Sequence, residues 1–438
     1  MATAAANLAG VALRARRRVA YRILPFVFLL YVVNYVDRVN VSFANLRMST
    51  DLGFTDRVYG LGVGMFYLTY VLFEIPGAVI IERWSARKWI ARIMITWGAV
   101  TILTGFVHTA KQFYVARFFL GMAEASFFPG MIVYLTHWFS ARDRCRAIAC
   151  LYTAVPAASL VGAPIAGWLL GVHWLSMEGW RWLFVLEGVP AIILGIMAIF
   201  YLTDWPSQAS WLPADERAWI VNQLNSELKA KKDVRDYRII EAFRDSRVLI
   251  LMASWFLFLV GNLGNIYFLP TFVKRLSGLP NTTVTSLIMI PALLAIVGNL
   301  VNGWHSDKTQ ERRWHAAVPT MIAATLFLLV VLAHHQVAVA VGCLLLTTAA
   351  YYPCQPVLWA IPTMILSESA AAATFGLINS VGQLGGFVGP YVLGFLNDRT
   401  GSLNASFLFE ALAFLTSGLL ILRVRIHDPG NEAARRRL

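Results

Sequence analysis

At 438 residues the chain is long enough for two domains, but 58% of it is hydrophobic and only 14% charged, which excludes an ordinary soluble globular protein. The net charge of +13 does not point to nucleic acid, because arginine and lysine cluster in short gaps between apolar runs and form no single basic face. Cys145, Cys150, Cys343 and Cys354 sit in or beside apolar runs with neither disulfide-framework nor metal-ligand spacing, so no metal site or redox role is expected.

The expected class is an all-α membrane protein. Crossing about 30 Å of hydrocarbon takes about 20 apolar residues in a helix. By that measure twelve spans are predicted, near 22–44, 58–81, 89–107, 112–135, 146–170, 181–203, 247–270, 283–304, 315–333, 337–360, 372–394 and 403–424. The basic cluster Arg14 to Arg18 precedes the first span without a small-residue cleavage site after it, so that span is expected to be retained. Basic residues fill alternate gaps: the N-terminus, Arg83/Arg87/Lys88, Arg142/Arg144/Arg146, the polar stretch after the sixth span, Lys308/Arg312/Arg313, and the tail Arg435 to Arg437. That alternation predicts both termini in the cytoplasm, with Lys274/Arg275 and Arg399 as exceptions. Residues 1–203 then form an N-terminal six-helix bundle, 204–246 a cytoplasmic linker with Pro206 and Pro213, and 247–438 a C-terminal six-helix bundle. A faint duplication supports two halves: Ala78-x3-Glu82-Arg83 and Gly303-x3-Asp307-Lys308 occupy the same gap, after the second span of each half.

The most informative stretch is RFFLGMAEASFFPG, residues 117–130, which puts an arginine and a glutamate inside a span. Arg117, Gly121 and Glu124 share one helix face, with the two charges about 10 Å apart. Ionised groups in hydrocarbon are expensive, so such a face is expected to line a cavity that handles substrate or protons. Span one adds Asp37, Arg38 and Asn40. If the first and fourth spans run in opposite directions, Arg38 and Arg117 lie at one depth and form a fork for a carboxylate. Burial favours the neutral forms of Asp37 and Glu124 while nearby arginine favours the charged forms, an opposition that makes a proton-driven switch. The alternative is a permanent network of the same four residues that locks the two spans together.

Other polar residues carry weaker signals. Tyr67 and Tyr70 on span two are candidate hydrogen-bond donors to substrate, or boundary tyrosines. Asn379 and Gln383 share a side of span eleven with Gly382, Gly386 and Pro390, which suits either substrate contact or close helix packing. Glu74, Glu187 and Glu410 are expected to serve helix packing, and His173, His334 and His335 to be solvated at loop edges. Trp255, Tyr267, Tyr351 and Trp359 are cavity-wall or core aromatics. No Walker A loop, dinucleotide fingerprint or nucleophile–base pair is present, so the chain is not expected to be an enzyme, needs no cofactor, and must draw energy from a gradient.

Several stretches, in order, resemble the anion:cation symporter family of the major facilitator superfamily. They are YVDRVNVSFA from Tyr35, RFFLGMAEASFFPG from Arg117, WRWLFVLEGVPA from Trp180, LTDWPSQASWLPADER after the sixth span, and INSVGQLGGFVGP from Ile378. The resemblance covers essentially the whole chain and is closest to the bacterial tartrate, phthalate, hydroxyphenylacetate and sugar-acid carriers. It implies two six-helix bundles in the bacterial inner membrane, alternating access, and proton-coupled import of an organic anion, and the chain is expected to be a monomer. By resemblance Asp37 and Glu124 match the coupling carboxylates, Arg38 and Arg117 the anion-binding arginines, and Tyr70 and Asn379 substrate-touching positions. Glu82, Arg83, Arg87 and Asp307 match the cytoplasmic gating loops, although Ala78, Glu82 and Ser85 replace the usual Gly, Asp and Gly. Val155 stands where sugar-acid carriers have glutamine, which favours a smaller dicarboxylate such as tartrate, or an aromatic acid. An exchanger or exporter of the same fold, or a transporter-like sensor, are the other readings of these residues.

Overall fold

Hydrocarbon offers no hydrogen bonds, so a crossing segment must satisfy its own backbone, and an α-helix does so within one segment. A computed structural model describes residues 2–231, 245–333, 335–365 and 368–424, with some side chains in these ranges excepted, and the described residues are helical nearly throughout. No sheet forms among them; Trp174 and Met177 make one isolated bridge.

The first, second and third predicted spans lie in α1 (Ala2–Leu52), α2 (Asp56–Arg83) and α3 (Ala86–Thr104). The fourth is divided between α4 (Ala110–Glu124) and α5 (Phe127–Trp138), and the fifth between α6 (Ala141–Tyr152) and α7 (Ala154–Leu169). The sixth is α8 (Gly179–Tyr201), followed by the polar helix α9 (Ala214–Lys231). The next three are α10 (Ser246–Ser277), α11 (Asn281–Thr309) and α12 (Arg313–Leu332). The tenth is split into α13 (Val337–Tyr351) and α14 (Cys354–Ile365), and the eleventh into α15 (Glu368–Gln383) and α16 (Gly385–Thr400). The last is α17 (Asn404–Arg423). Ten helical stretches among the described residues are long and apolar enough to cross a membrane. Of the other two, α3 carries Arg87, Lys88 and Arg92 at its start, and the eleventh span is interrupted.

The interruptions correct the expectation of continuous spans, and proline explains three of the four. Pro129, Pro156 and Pro356 each lack the N–H that would bond back across the break four residues earlier, whereas Pro390 lies inside α16, beyond the break at Leu384. The breaks fall in the fourth and fifth spans of each set of six, so the faint sequence duplication has a counterpart in backbone irregularity. At the first break Ser126 is left-handed, with φ 67°, a costly conformation for a residue with a Cβ. Ser126 Oγ donates to the Ala125 carbonyl and accepts from Trp89 Nε1 at 3.2 Å, which holds the break in place.

By packing, the chain divides into two units, residues 1–48 with 68–234, and residues 49–67 with 235–438. In the first unit α3 lies along α8, and the close approach is made by glycine. A Cβ on Gly98 would come 2.7 Å from the Gly188 carbonyl oxygen, and one on Gly188 2.6 Å from that of Gly98. Helix α1 also runs well beyond its predicted span. Arg14 and Arg18 pair with Glu216 of α9 at 3.7 and 3.4 Å, and the Arg22 guanidinium lies 4.6 Å from the Tyr201 ring and 4.9 Å from that of Trp211. The N-terminal arginines are therefore built into a polar layer with the segment after α8, in addition to any role in orientation.

In the second unit the start of α2 is tied down by α10 and α16. Asp398 accepts from the backbone N–H of Asp56 and Arg57 at 3.1 and 3.0 Å. Asp56 receives Arg275 Nη2 at 2.6 Å and Asn397 Nδ2 at 2.9 Å. The two bonds to Asp398 satisfy helix-start donors that would otherwise lack partners.

Candidate functional site

The charged residues of spans one and four come together in the first unit. Glu124 is fully buried, and one of its oxygens accepts from Asn34 Nδ2 at 2.9 Å and from Arg38 Nε at 3.0 Å, with Arg38 Nη2 on the same oxygen. The other oxygen, Oε2, has no hydrogen-bond partner among the described residues. Arg38 also lies over the Tyr70 ring, 5.2 Å from its centre, and hydrogen-bonds the Tyr70 hydroxyl. Tyr35 flanks the guanidinium at 5.5 Å from its ring centre. The long arginine side chain thus reaches the level of Glu124, so the open two-arginine fork expected from depth alone is revised: Arg38 is engaged by a carboxylate.

Arg117 is 1% exposed, and its charge and that of Glu124 both act on Asp37. Asp37, equally buried, accepts from Thr101 Oγ1 at 3.1 Å through Oδ2 and from Asn40 Nδ2 at 3.1 Å through Oδ1. Helix α4 ends at Glu124 and the left-handed Ser126 follows, so this carboxyl stands at a helix break. Such discontinuous spans are where transporters place polar chemistry, because irregular backbone can be tolerated when it faces a cavity or protein. One residue of this cluster escaped the sequence reading. Asn34 lies one helical turn before Arg38 on the same face, a spacing that could have revealed it. Glu187, expected to serve helix packing, is buried in α8, and its Oε2 has no hydrogen-bond partner among the described residues.

The remaining candidates lie elsewhere. Tyr67 packs in the second unit, where its hydroxyl shares a hydrogen bond of 2.9 Å with that of Tyr267 and its ring covers Gly386. Asn379 and Gln383 are half-buried near the end of α15, and the break at Leu384 separates them from Gly386 and Pro390. The expected single face of span eleven is therefore divided. Asn265 Nδ2 donates to Thr348 Oγ1 at 2.9 Å and to the Tyr351 hydroxyl at 3.4 Å, making a buried polar cluster. Glu410 is fully buried, with both oxygens lacking partners among the described residues. The second unit therefore contains polar chemistry that hydropathy did not reveal.

Of the loop candidates, Arg87 meets Asp204: its backbone N–H donates to Oδ1 at 2.9 Å and its Nε lies 3.7 Å from Oδ2. Asp307 pairs with Arg312 Nη1 at 2.6 Å. The side chains of Glu82 and Arg83, residues 232–244 of the linker, His334 and the tail arginines Arg435 to Arg437 lie outside the described residues. Among the described residues no cluster of three or more potential metal ligands occurs.

Ionisable residues buried in the spans of a multi-pass helical protein mark substrate, ion or proton pathways. Residues 27–390 match the family model of the Major Facilitator Superfamily. The chain belongs to that superfamily. It is 40% identical over 432 residues to a putative tartrate transporter of Agrobacterium vitis, covering 95% of this chain and 96% of that one. It is 36% identical to the putative metabolite transport protein NicT of Pseudomonas putida, over 92% of this chain and 93% of the relative. The inward-open xylose transporter XylE from E. coli shares its fold, with a TM-score of 0.74, 14% identity, and coverage of 94% and 97% of the two chains.

Proposed function

We propose that this protein is a proton-coupled symporter that imports a small organic anion across the bacterial inner membrane, with both termini cytoplasmic. The observation that carries this reading is the buried Arg38–Glu124 pair next to Asp37 and Arg117. While Glu124 is ionised it occupies Arg38. A proton on Glu124 removes the negative partner and leaves the guanidinium able to take a substrate carboxylate through parallel N–H donors. Arg117 supplies the second fixed positive charge, and Tyr70 a hydroxyl beside Arg38. Release of the proton toward the cytoplasm restores the pair and expels the anion.

Similarity to a carrier named for tartrate supports a small dicarboxylate as substrate, and aromatic or sugar acids are the nearest alternatives. Tyr67, Asn379 and Gln383 are proposed further substrate contacts, and Glu82, Arg83, Arg87 and Asp307 proposed parts of the cytoplasmic gates. The working unit is a monomer in two six-helix halves joined through 204–246, and its energy comes from the proton gradient without cofactor or metal. Labelled tartrate, phthalate, 4-hydroxyphenylacetate, galactonate and glucuronate, offered to proteoliposomes with and without an inward proton gradient, test the reading. One acid should accumulate only with the gradient. Uptake that ignores the gradient but responds to internal anion identifies an exchanger, and substrate extrusion driven by the gradient identifies an exporter.

A further inference from the structure

Before the first span, Arg14, Arg17, Arg18, Tyr21 and Arg22 recur along α1 at intervals of three and four, so they share one helix face. Together with Tyr201, the last residue of α8, and Trp211 of the segment that follows, they line a cavity of about 650 Å³. Its charges do not balance. Glu216 is shared by Arg14 and Arg18 at 3.7 and 3.4 Å, and Asp215 lies 3.5 Å from Arg14. All three separations exceed the roughly 2.7–2.9 Å of a charge-assisted hydrogen bond. Arg22 stands over the rings of Tyr201 and Trp211, and Arg17 is exposed; neither pairs with a carboxylate among the described residues. Four arginines set against Asp215 and Glu216 therefore leave Arg17 and Arg22 as uncompensated cations.

Further along α1 the same face turns apolar and stays uncovered. Tyr21, Pro25 and Leu29 follow one another at four-residue intervals, with Tyr21 79% and Leu29 44% exposed. Phe200, next to Tyr201 in α8, is 81% exposed. Tyr21 belongs to both features, as a wall of the cavity and as the first of the exposed row. A cluster of cations that passes directly into uncovered apolar surface matches a molecule with an anionic head and a hydrocarbon tail.

We propose that this cavity binds the phosphate headgroup of an anionic phospholipid, anchored by Arg17 and Arg22, with an acyl chain laid along Tyr21, Pro25 and Leu29. Guanidinium offers a phosphate parallel N–H donors, and Arg14 and Arg18 add to the field that attracts it. A soluble phosphate would gain the charges and forgo the apolar row. A zwitterionic lipid would gain the row but bring its own cation against four arginines. Basic clusters beside a span are where anionic headgroups gather, and tyrosine and tryptophan mark the same depth. The site's position at the ends of the first and sixth spans follows from the fold; its assignment to the cytoplasmic leaflet rests on the proposed orientation.

The test titrates phosphatidylglycerol and phosphatidylcholine, each labelled at the end of an acyl chain, onto the purified full chain in uncharged micelles and follows fluorescence anisotropy. Phosphatidylglycerol should bind more tightly than phosphatidylcholine, and high salt should shrink the difference. Arg17→Gln should weaken phosphatidylglycerol about fivefold, the effect of one basic residue at a lipid surface, and leave phosphatidylcholine unchanged. The double variant Arg17→Gln/Arg22→Gln should lose the preference. Arg423→Gln removes the same charge from the end of the last span and should leave the affinity as it is. If the double variant does not fold, Arg17→Gln against Arg423→Gln decides, since exposed Arg17 holds no ion pair among the described residues. An equal response of those two single variants overturns the site. Displacement of phosphatidylglycerol by inorganic phosphate as readily as by unlabelled phosphatidylglycerol would assign the cavity to a soluble anion and overturn the lipid. Micelles have no sides and the titration reads no transport, so failure of the orientation or of the symport reading would leave these results unchanged.

Discussion

Removing Arg38 should uncover how much the Arg38–Glu124 pair contributes to the fold of the first unit. Arg38→Met keeps most of the volume, so the main loss is electrostatic. The Arg38 side chain is 12% exposed and that of Glu124 0%, which places the pair among buried ion pairs. Breaking such a pair from one side costs about 3 to 5 kcal/mol. Asn34 still donates to Glu124 at 2.9 Å, which places the expected loss near the lower end, about 3 kcal/mol. Glu124→Gln keeps a carbonyl for Arg38 and Asn34, and gives up only the charge-assisted part of two hydrogen bonds, about 1 to 2 kcal/mol. In the double variant the stranded carboxylate is gone, so the two losses should not add. Equilibrium unfolding in mixed micelles at neutral pH, run as a double-mutant cycle, should give a coupling energy of about 1.5 kcal/mol or more. Additivity within about 0.5 kcal/mol would show that the two side chains do not depend on each other, and the pairing argument would fail.

Three further outcomes test the packing and caps. Gly386→Ala places a Cβ 2.4 Å from the Tyr67 ring, so the ring must shift; thermal unfolding should show a loss of about 1 to 3 kcal/mol, and an unchanged midpoint would contradict the packing described. Asp398→Ala removes the acceptor for the Asp56 and Arg57 N–H groups and should cost about 1 kcal/mol, with faster hydrogen exchange confined to the first turn of α2. Burial works against ionised Glu311, but the backbone N–H groups of Trp314 and His315 and the His315 ring outweigh it and hold the carboxyl below its ordinary value. A carboxyl so lowered stabilises the start of α12 above the unfolded value of about 4.3 and loses that contribution as pH falls through its folded value. Exchange of the Trp314 amide, corrected for intrinsic pH dependence, should therefore be steady from neutral pH to about 5 and rise only below about 4.3; a rise already near neutrality would refute the cap.

Much of the architecture was legible because lipid imposes a simple rule: a span must be apolar and long. The charged exceptions, Asp37, Arg38, Arg117 and Glu124, were equally legible, since hydrocarbon makes each of them costly. What hydropathy could not reveal was backbone continuity. Pro129, Pro156, Pro356 and Pro390 were visible, but a proline within a span kinks a helix or ends it depending on neighbours such as Trp89, which holds Ser126. Partner choice was also hidden. Helical spacing relates residues on one helix, so it placed Arg117 with Glu124 and could not show Arg38 reaching Glu124 from α1. Asn34, one turn before Arg38, was passed over because a lone asparagine in an apolar helix carries little cost until its partner on another helix is known.

In the proposed cycle a proton on Glu124 drives anion transport. The most direct measurement is labelled tartrate transport by wild type and Glu124→Gln in proteoliposomes, comparing accumulation under an inward proton gradient with exchange against internal tartrate at equal pH. The variant should exchange tartrate but no longer accumulate it, because an amide leaves Arg38 without its ionised partner and carries no proton through the cycle. Gradient-driven accumulation by Glu124→Gln equal to that of wild type would contradict it.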